Sequence, residues 1–266
     1  MSTTTAPAPV RPAVSPDPSI AGIPFSRHLR VELRKLVDTR AGFWLLAAIG
    51  ILTVAAVAIY LFAVDPSELT YLNFVAVTAT PQGMLLPVLG ILAVTAEWSQ
   101  RTGLVTFTQE PNRLRIVSAK LLALLVAGLA AVALSLAVAA LGNVLGIALR
   151  DGAGTWNFEA AGVRDFVLVQ LIGLVQGFAF GMLLMNTAAA IVLYFVLPIA
   201  WNILFTLVGG LADAAPWLDL NTALAPVFNG DTLAGNDWSH LAVSGTIWVL
   251  VPVALGLVRL LRREVK

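Results

Sequence analysis

The residues best suited to chemistry lie in two short polar stretches, and neither holds the parts of a catalytic centre. The first, FSRHLRVELRKLVDTR over residues 25–40, contains Leu33, Arg34 and Lys35. The second runs from Ala96 to Lys120 and contains Glu97, Arg101, Thr102, Arg113 and Arg115. Carboxylates and cations in that mixture make ion pairs and docking contacts. Without a partnered histidine they do not make a nucleophile with its base. The chain has no cysteine, which excludes disulfides, thiolate metal sites and cysteine nucleophiles. Its two histidines, His28 and His240, are predicted on opposite sides of a membrane, so no histidine metal cluster is expected. A P-loop needs Gly-Lys-Ser/Thr to cradle phosphates. None of Lys35, Lys120 and Lys266 follows a glycine, and no polar stretch is long enough for a nucleotide-binding domain. The chain is therefore expected not to be an enzyme and to bind no cofactor, metal or nucleic acid itself.

The elements that must position these stretches are apolar. With 59% hydrophobic and 12% charged residues, against roughly 25% charged in a soluble domain, the chain reads as a membrane protein. Six apolar cores run roughly over 43–64, 74–96, 118–149, 166–186, 189–211 and 241–258. About 20 such residues cross the hydrocarbon layer as a helix. Barrel strands would alternate with period two; these runs are continuously apolar, so the predicted fold is all-α with six transmembrane helices. At 1.5 Å per residue, about 30 residues reach about 45 Å, so the third helix must tilt or project beyond the bilayer.

Charge sets the expected orientation. Arg11, Arg27, Arg30, Arg34, Lys35 and Arg40 precede the first span; Arg101, Arg113, Arg115 and Lys120 lie between the second and third; Arg259, Arg262, Arg263 and Lys266 follow the sixth. Only Arg150 and Arg164 fall in the remaining loops, while Asp65, Glu68, Asp151, Glu159, Asp213, Asp219, Asp231 and Asp237 lean to that other side. The positive-inside rule then puts both termini in the cytoplasm. Residues 1–24, rich in proline, serine and threonine, read as a disordered cytoplasmic tail and not as a signal peptide. On a wheel of roughly 100° per residue, Phe25, Leu29, Leu33, Leu36 and Val37 share one face of segment 25–40. Arg27, Arg30, Arg34 and Lys35 share the other, with Ser26 placed to cap the start. That pattern suits an interfacial helix against lipid headgroups, or simply a basic topology signal. The 97–117 connection reads either as a hydrophilic connector or as a docking element with a short helix near 101–110.

Three stretches resemble one family. Glu32-Leu33-Arg34-Lys35-Leu36, with Thr39-Arg40 ahead of a tryptophan-bearing span, is similar to the start of ABC-2-type transporter permeases, the membrane subunits of bacterial ABC exporters. Glu97 through Lys120 resembles their first intracellular loop, with an acid, Thr-Gly, a Pro-Asn-Arg break and Ala-Lys-Leu-Leu opening the third span. Asn186-Thr187 and the residues to Val192 resemble their tight cytoplasmic turn between spans four and five. Together with the six-span layout over 41–266, the resemblance covers about residues 25–266. It implies a bacterial cytoplasmic-membrane permease paired with a second copy or a paralogue and powered by a separate cytoplasmic ATPase that carries ATP and magnesium. It also implies ATPase-coupling roles for Leu33, Arg34, Lys35, Glu97, Arg101, Thr102, Arg113 and Arg115. A substrate path near Pro81, Pro87, Pro198, Trp201 and Asn202 is implied too, with hydrophobic or amphiphilic cargo moving outward.

The alternative is an ion-coupled secondary carrier or a channel with no ATPase partner. Carriers place ionisable groups inside the membrane; here the cores offer mainly amides, Asn73, Gln82, Asn143, Gln170, Gln176, Asn186 and Asn202. Such amides bond between helices or, less often, hold sodium. The prolines are expected either to distort packing or to hinge their helices. Segment 212–240 alternates acids with apolar residues, which suits short re-entrant helices or a flexible acidic loop, with Asp237 and His240 spaced to pair.

Overall fold

The computed structural model describes residues 23–99, 110 and 112–262. The described chain is all-helical, and six of its helices are long and apolar enough to cross a membrane. Helix α1 spans Phe25–Asp38 and α2 spans Arg40–Ala63. Helix α3 spans Tyr71–Ser99, α4 Arg113–Arg150 and α5 Ala160–Leu184. Helix α6 spans Thr187–Leu207 and α7 Asp237–Arg262, with a π-helical stretch at Thr246–Leu250. Short helices at Gly209–Ala214, Ala215–Leu218, Leu220–Ala223 and Ala225–Phe228 take up the first part of the predicted 212–240 loop; residues 229–236 are irregular, and the last four predicted loop residues already belong to α7.

Local chemistry sets the boundaries. Thr39 ends α1 in an extended conformation, and its hydroxyl accepts from Gly42 N at 3.2 Å, so α2 starts one residue later. Asn112 caps α4 by accepting from Arg115 N at 3.3 Å. Between α5 and α6 the chain reverses in two residues: Met185 takes the left-handed conformation at φ 51°, and Asn186 Oδ1 then accepts from Ala189 N at 3.0 Å. Pro24, not Ser26, stands at the start of α1, and no side chain caps that end. Helix α4, at 38 residues, is about 57 Å long at 1.5 Å per residue.

The centre of the bundle is the crossing of α3 and α5. A Cβ at Gly177 would lie 2.1 Å from the carbonyl oxygen of Pro87, and one at Gly90 would lie 2.3 Å from that of Leu174. The two backbones touch at that level, as small residues permit in membrane helices. Around the crossing, Leu86, Leu89, Leu124, Leu174, Phe178 and Met182 form the main apolar core. A second cluster of Val57, Leu61, Phe74 and Phe166 lies nearer the opposite end. Helix α6 is the least covered span: Leu207, Ile199 and Val192 are well exposed.

Candidate functional site

One end of the bundle gathers α1, the C-terminus of α3, the N-terminus of α4 and the ends of α5 and α7. There Glu32 and Lys35 of α1 meet Glu97 of α3 and Lys120 of α4. Lys120 Nζ donates to Glu32 Oε2 at 2.7 Å and to Glu97 Oε1 at 2.8 Å. Lys35 Nζ donates to Glu32 Oε1 at 2.7 Å and to Glu97 Oε1 at 2.9 Å. Two cations and two carboxylates balance, which is the condition for burying charge at tolerable cost. Lys120, Glu32 and Glu97 are nearly sealed from solvent, while the Lys35 side chain stays 37% exposed. Burial works against a charged Lys35, but Glu97 and Glu32 outweigh it and hold the ammonium above the ordinary lysine range. A cleft of about 370 Å³ between α1, α2, α3 and α4 has all four of these residues on its wall.

A second polar junction ties the far side of α1. Glu110 Oε2 lies 3.0 Å from both His28 Nε2 and Arg115 Nη1, and its Oε1 accepts from Asn112 N at 3.1 Å. The Asn112 amide, then His28 and Arg115, hold the Glu110 carboxyl below its ordinary value. Arg115 also donates to the carbonyl of Ile23 at 2.9 Å. Arg113 donates to the carbonyl of Leu260, joining α4 to α7.

The predicted coupling residues are thus partly collected. Lys35, Glu97, Arg113 and Arg115 share this end, and Leu33 packs on the core cluster. Arg34 is exposed. Arg101, Thr102 and the short helix expected near 101–110, apart from Glu110, lie outside the described residues. Asn186 and Thr187 sit in the α5–α6 turn, where Thr187 donates to Thr95 of α3 at 2.7 Å. The wheel places Val37 on the apolar face, yet it is 54% exposed and Glu32 is buried instead. The buried side of α1 is turned toward Glu97 and Lys120, because the ion cluster draws it there. In the sequence alone, Glu32 reads as part of a motif and Lys120 as a topology charge. Lys120 inside an apolar run, with acids at two neighbouring span ends, is the signal that finds them.

The predicted path residues do not converge. Pro81 and Pro87 lie within continuous α3, with Pro87 buried at the α5 crossing. Trp201 stacks on Phe205 and meets Trp248 edge-on, while Asn202 and its α6 neighbours Ile203 and Leu204 are exposed. Two of the amides bond between helices, Gln82 donating to the Ala131 carbonyl at 2.7 Å and Gln170 to Gln82 at 3.4 Å, while Asn73, Asn143 and Asn186 serve loops and a helix cap.

At the opposite end Asp165, absent from the sequence-level reading, is fully buried. It holds Arg164 at 2.7 Å and accepts from Leu233 N at 2.8 Å, pinning the loop of short helices to α5. Asp237 accepts from Ala234 N, and His240 packs edge-on against Trp217; the spacing that suggested an Asp237–His240 pair instead serves two separate local contacts. Below this loop a cavity of about 830 Å³ opens between α3, α5 and α6. Among the described residues no group of histidine, cysteine or acidic side chains is arranged to hold a metal ion. No family model and no curated protein matches this sequence.

Proposed function

We propose that this chain is the membrane-spanning permease subunit of an ABC-2-type exporter. In this reading α1 lies along the inner face of the bacterial cytoplasmic membrane, and both termini are cytoplasmic. Two permeases pair, and each rests on a separate ATPase that binds ATP and magnesium. The observation that carries the proposal is the buried Glu32–Lys35–Glu97–Lys120 cluster. It fastens α1 to α3 and α4, the two helices that flank the 97–117 connection. A push on α1 or on that connection therefore reaches two spans directly, through charge pairs too buried to slip at low cost. The basic bias of this end supports its cytoplasmic placement. The lightly covered α6 supports a partner or lipid on that face.

Replacement of Glu97 or Arg115 is expected to uncouple ATP hydrolysis from transport while leaving insertion intact. The first test is a mild-detergent pull-down of the tagged chain from its native cells, with mass spectrometry of stoichiometric partners. A co-purifying P-loop ATPase is the expected result. A chain that runs alone, or only with copies of itself, under conditions that preserve known transporter complexes would turn the reading toward the ion-coupled carrier or channel.

A further inference from the structure

The large cavity differs from the path predicted between two permeases. Of the five predicted path residues only Pro87 lines it; Pro81, Pro198, Trp201 and Asn202 do not. It extends along α3 from Leu72 to Pro87, about 22 Å at 1.5 Å per residue, and so passes from the loop end to beyond mid-bundle. Its deep part is formed by Pro87, Gly173, Tyr194 and the amides Gln170 and Gln176. Gln170 is itself buried and gives one of its two amide hydrogens to Gln82, while its carbonyl oxygen remains able to accept. The charges on the lining are of one sign. Glu159 and Asp231 stand exposed at the loop-side mouth, no lysine or arginine among the described residues lines the cavity, and nearby Arg164 is held by Asp165.

We propose that this cavity is a binding site within a single chain for an amphiphilic organic cation. The apolar walls of α3 and α5 take the body, the deep amides accept from its polar groups, and Glu159 and Asp231 favour its positive charge. Concave sites of this kind are mainly apolar, with a few polar groups that fix orientation. An acidic mouth also raises the local concentration of cations. The proposal rests on the transporter reading for its purpose but not for its test.

Two ions of nearly equal size and opposite charge provide that test. The full chain in lipid nanodiscs is dialysed against tetraphenylphosphonium or tetraphenylborate, with empty nanodiscs subtracted. Saturable binding of the cation and none of the anion is expected. The Glu159→Gln/Asp231→Asn variant, altered only at exposed positions, should bind the cation about fivefold to tenfold more weakly. Location follows from the absence of native cysteine. In an Ala76→Cys chain the new thiol faces the cavity, and tetraphenylphosphonium should slow its alkylation while tetraphenylborate should not. Equal binding of both ions, or cation binding that neither protects residue 76 nor responds to the double variant, overturns the proposal. Cation binding without a co-purifying ATPase leaves this site standing and removes the exporter reading. An ATPase partner with no cation binding does the reverse.

Discussion

The two ends of this bundle handle buried charge in opposite ways. At the α1 end, four ionisable groups from three helices close on one another as a neutral cluster on the wall of a cleft of about 370 Å³. At the other end two buried carboxylates act separately: Asp165 takes one arginine and one backbone amide, Asp219 takes the amide and hydroxyl of Thr222, and a cavity of about 830 Å³ remains open under the loop. Charge used for cross-bracing makes a stiff joint between elements. The loop is instead held by contacts that do not join into one network: Asp165 and Arg164 on Leu233, Trp248 on the carbonyl of Leu218, and a small apolar cluster around Leu220 and Leu224. Under the proposed transporter reading, the α1 end receives the force and the other end meets cargo.

Variants can break the contrast, and the cluster should give the largest effect. Lys120→Ala leaves two buried carboxylates with only the half-exposed Lys35, and stripping one partner from a buried pair costs about 3–5 kcal/mol. A large fall in thermal stability in detergent is expected, together with proteolytic release of α1. Adding Glu97→Ala should recover part of the loss, which a double-mutant cycle would measure. At the other end, Asp165→Ala orphans the Leu233 amide at a cost of about 1–3 kcal/mol. Hydrogen exchange should then rise in residues 219–236 and not at the α1 end. A rise spread evenly over both ends would erase the distinction.

Lys35→Met should cost less than Lys120→Ala, about 1 kcal/mol or below, because its ammonium is partly solvated. Equal losses would show that exposure does not rank the two lysines. The smallest effect is set by pH. Glu110 is held below the ordinary glutamate value of 4.5, so its contribution is present above that value and is lost as pH falls through the lowered one. Proteolysis near residues 23–28 should increase only in that acidic range. Lys35 is shifted upward from 10.5, so its contribution persists through neutral pH and fades only in strong alkali.

The sequence makes the spans legible because continuous apolar runs longer than a bilayer crossing have one helical solution. The Asn186 turn is legible for a similar reason, since a cap residue between two such runs marks a helix start. The packing is less so. Gly173, Gly177 and Gly181 repeat at four-residue spacing on α5, yet nothing in one strand of sequence says that Gly177 will meet the backbone of Pro87 on α3. Lys120 is hidden for a related reason: near a basic loop it counts as a topology charge, and only the meeting of three helices turns it into the centre of a cluster. The wheel of α1 places Val37 inward because it weighs hydrophobicity alone, whereas a pair of buried carboxylates outweighs one valine. Asp165 escapes because an Arg-Asp neighbour pair at a span end looks like ordinary solvated charge.

The most direct test of the account places a photo-crosslinking amino acid at exposed Arg34 on α1 and, separately, at exposed Asn229 in the opposite loop, with irradiation in native membranes. The account predicts an adduct between position 34 and a P-loop ATPase, and none from position 229. An ATPase adduct from position 229, or its absence at position 34 while the insertion and stability of the chain are intact, would contradict the claim that the α1 end receives the force.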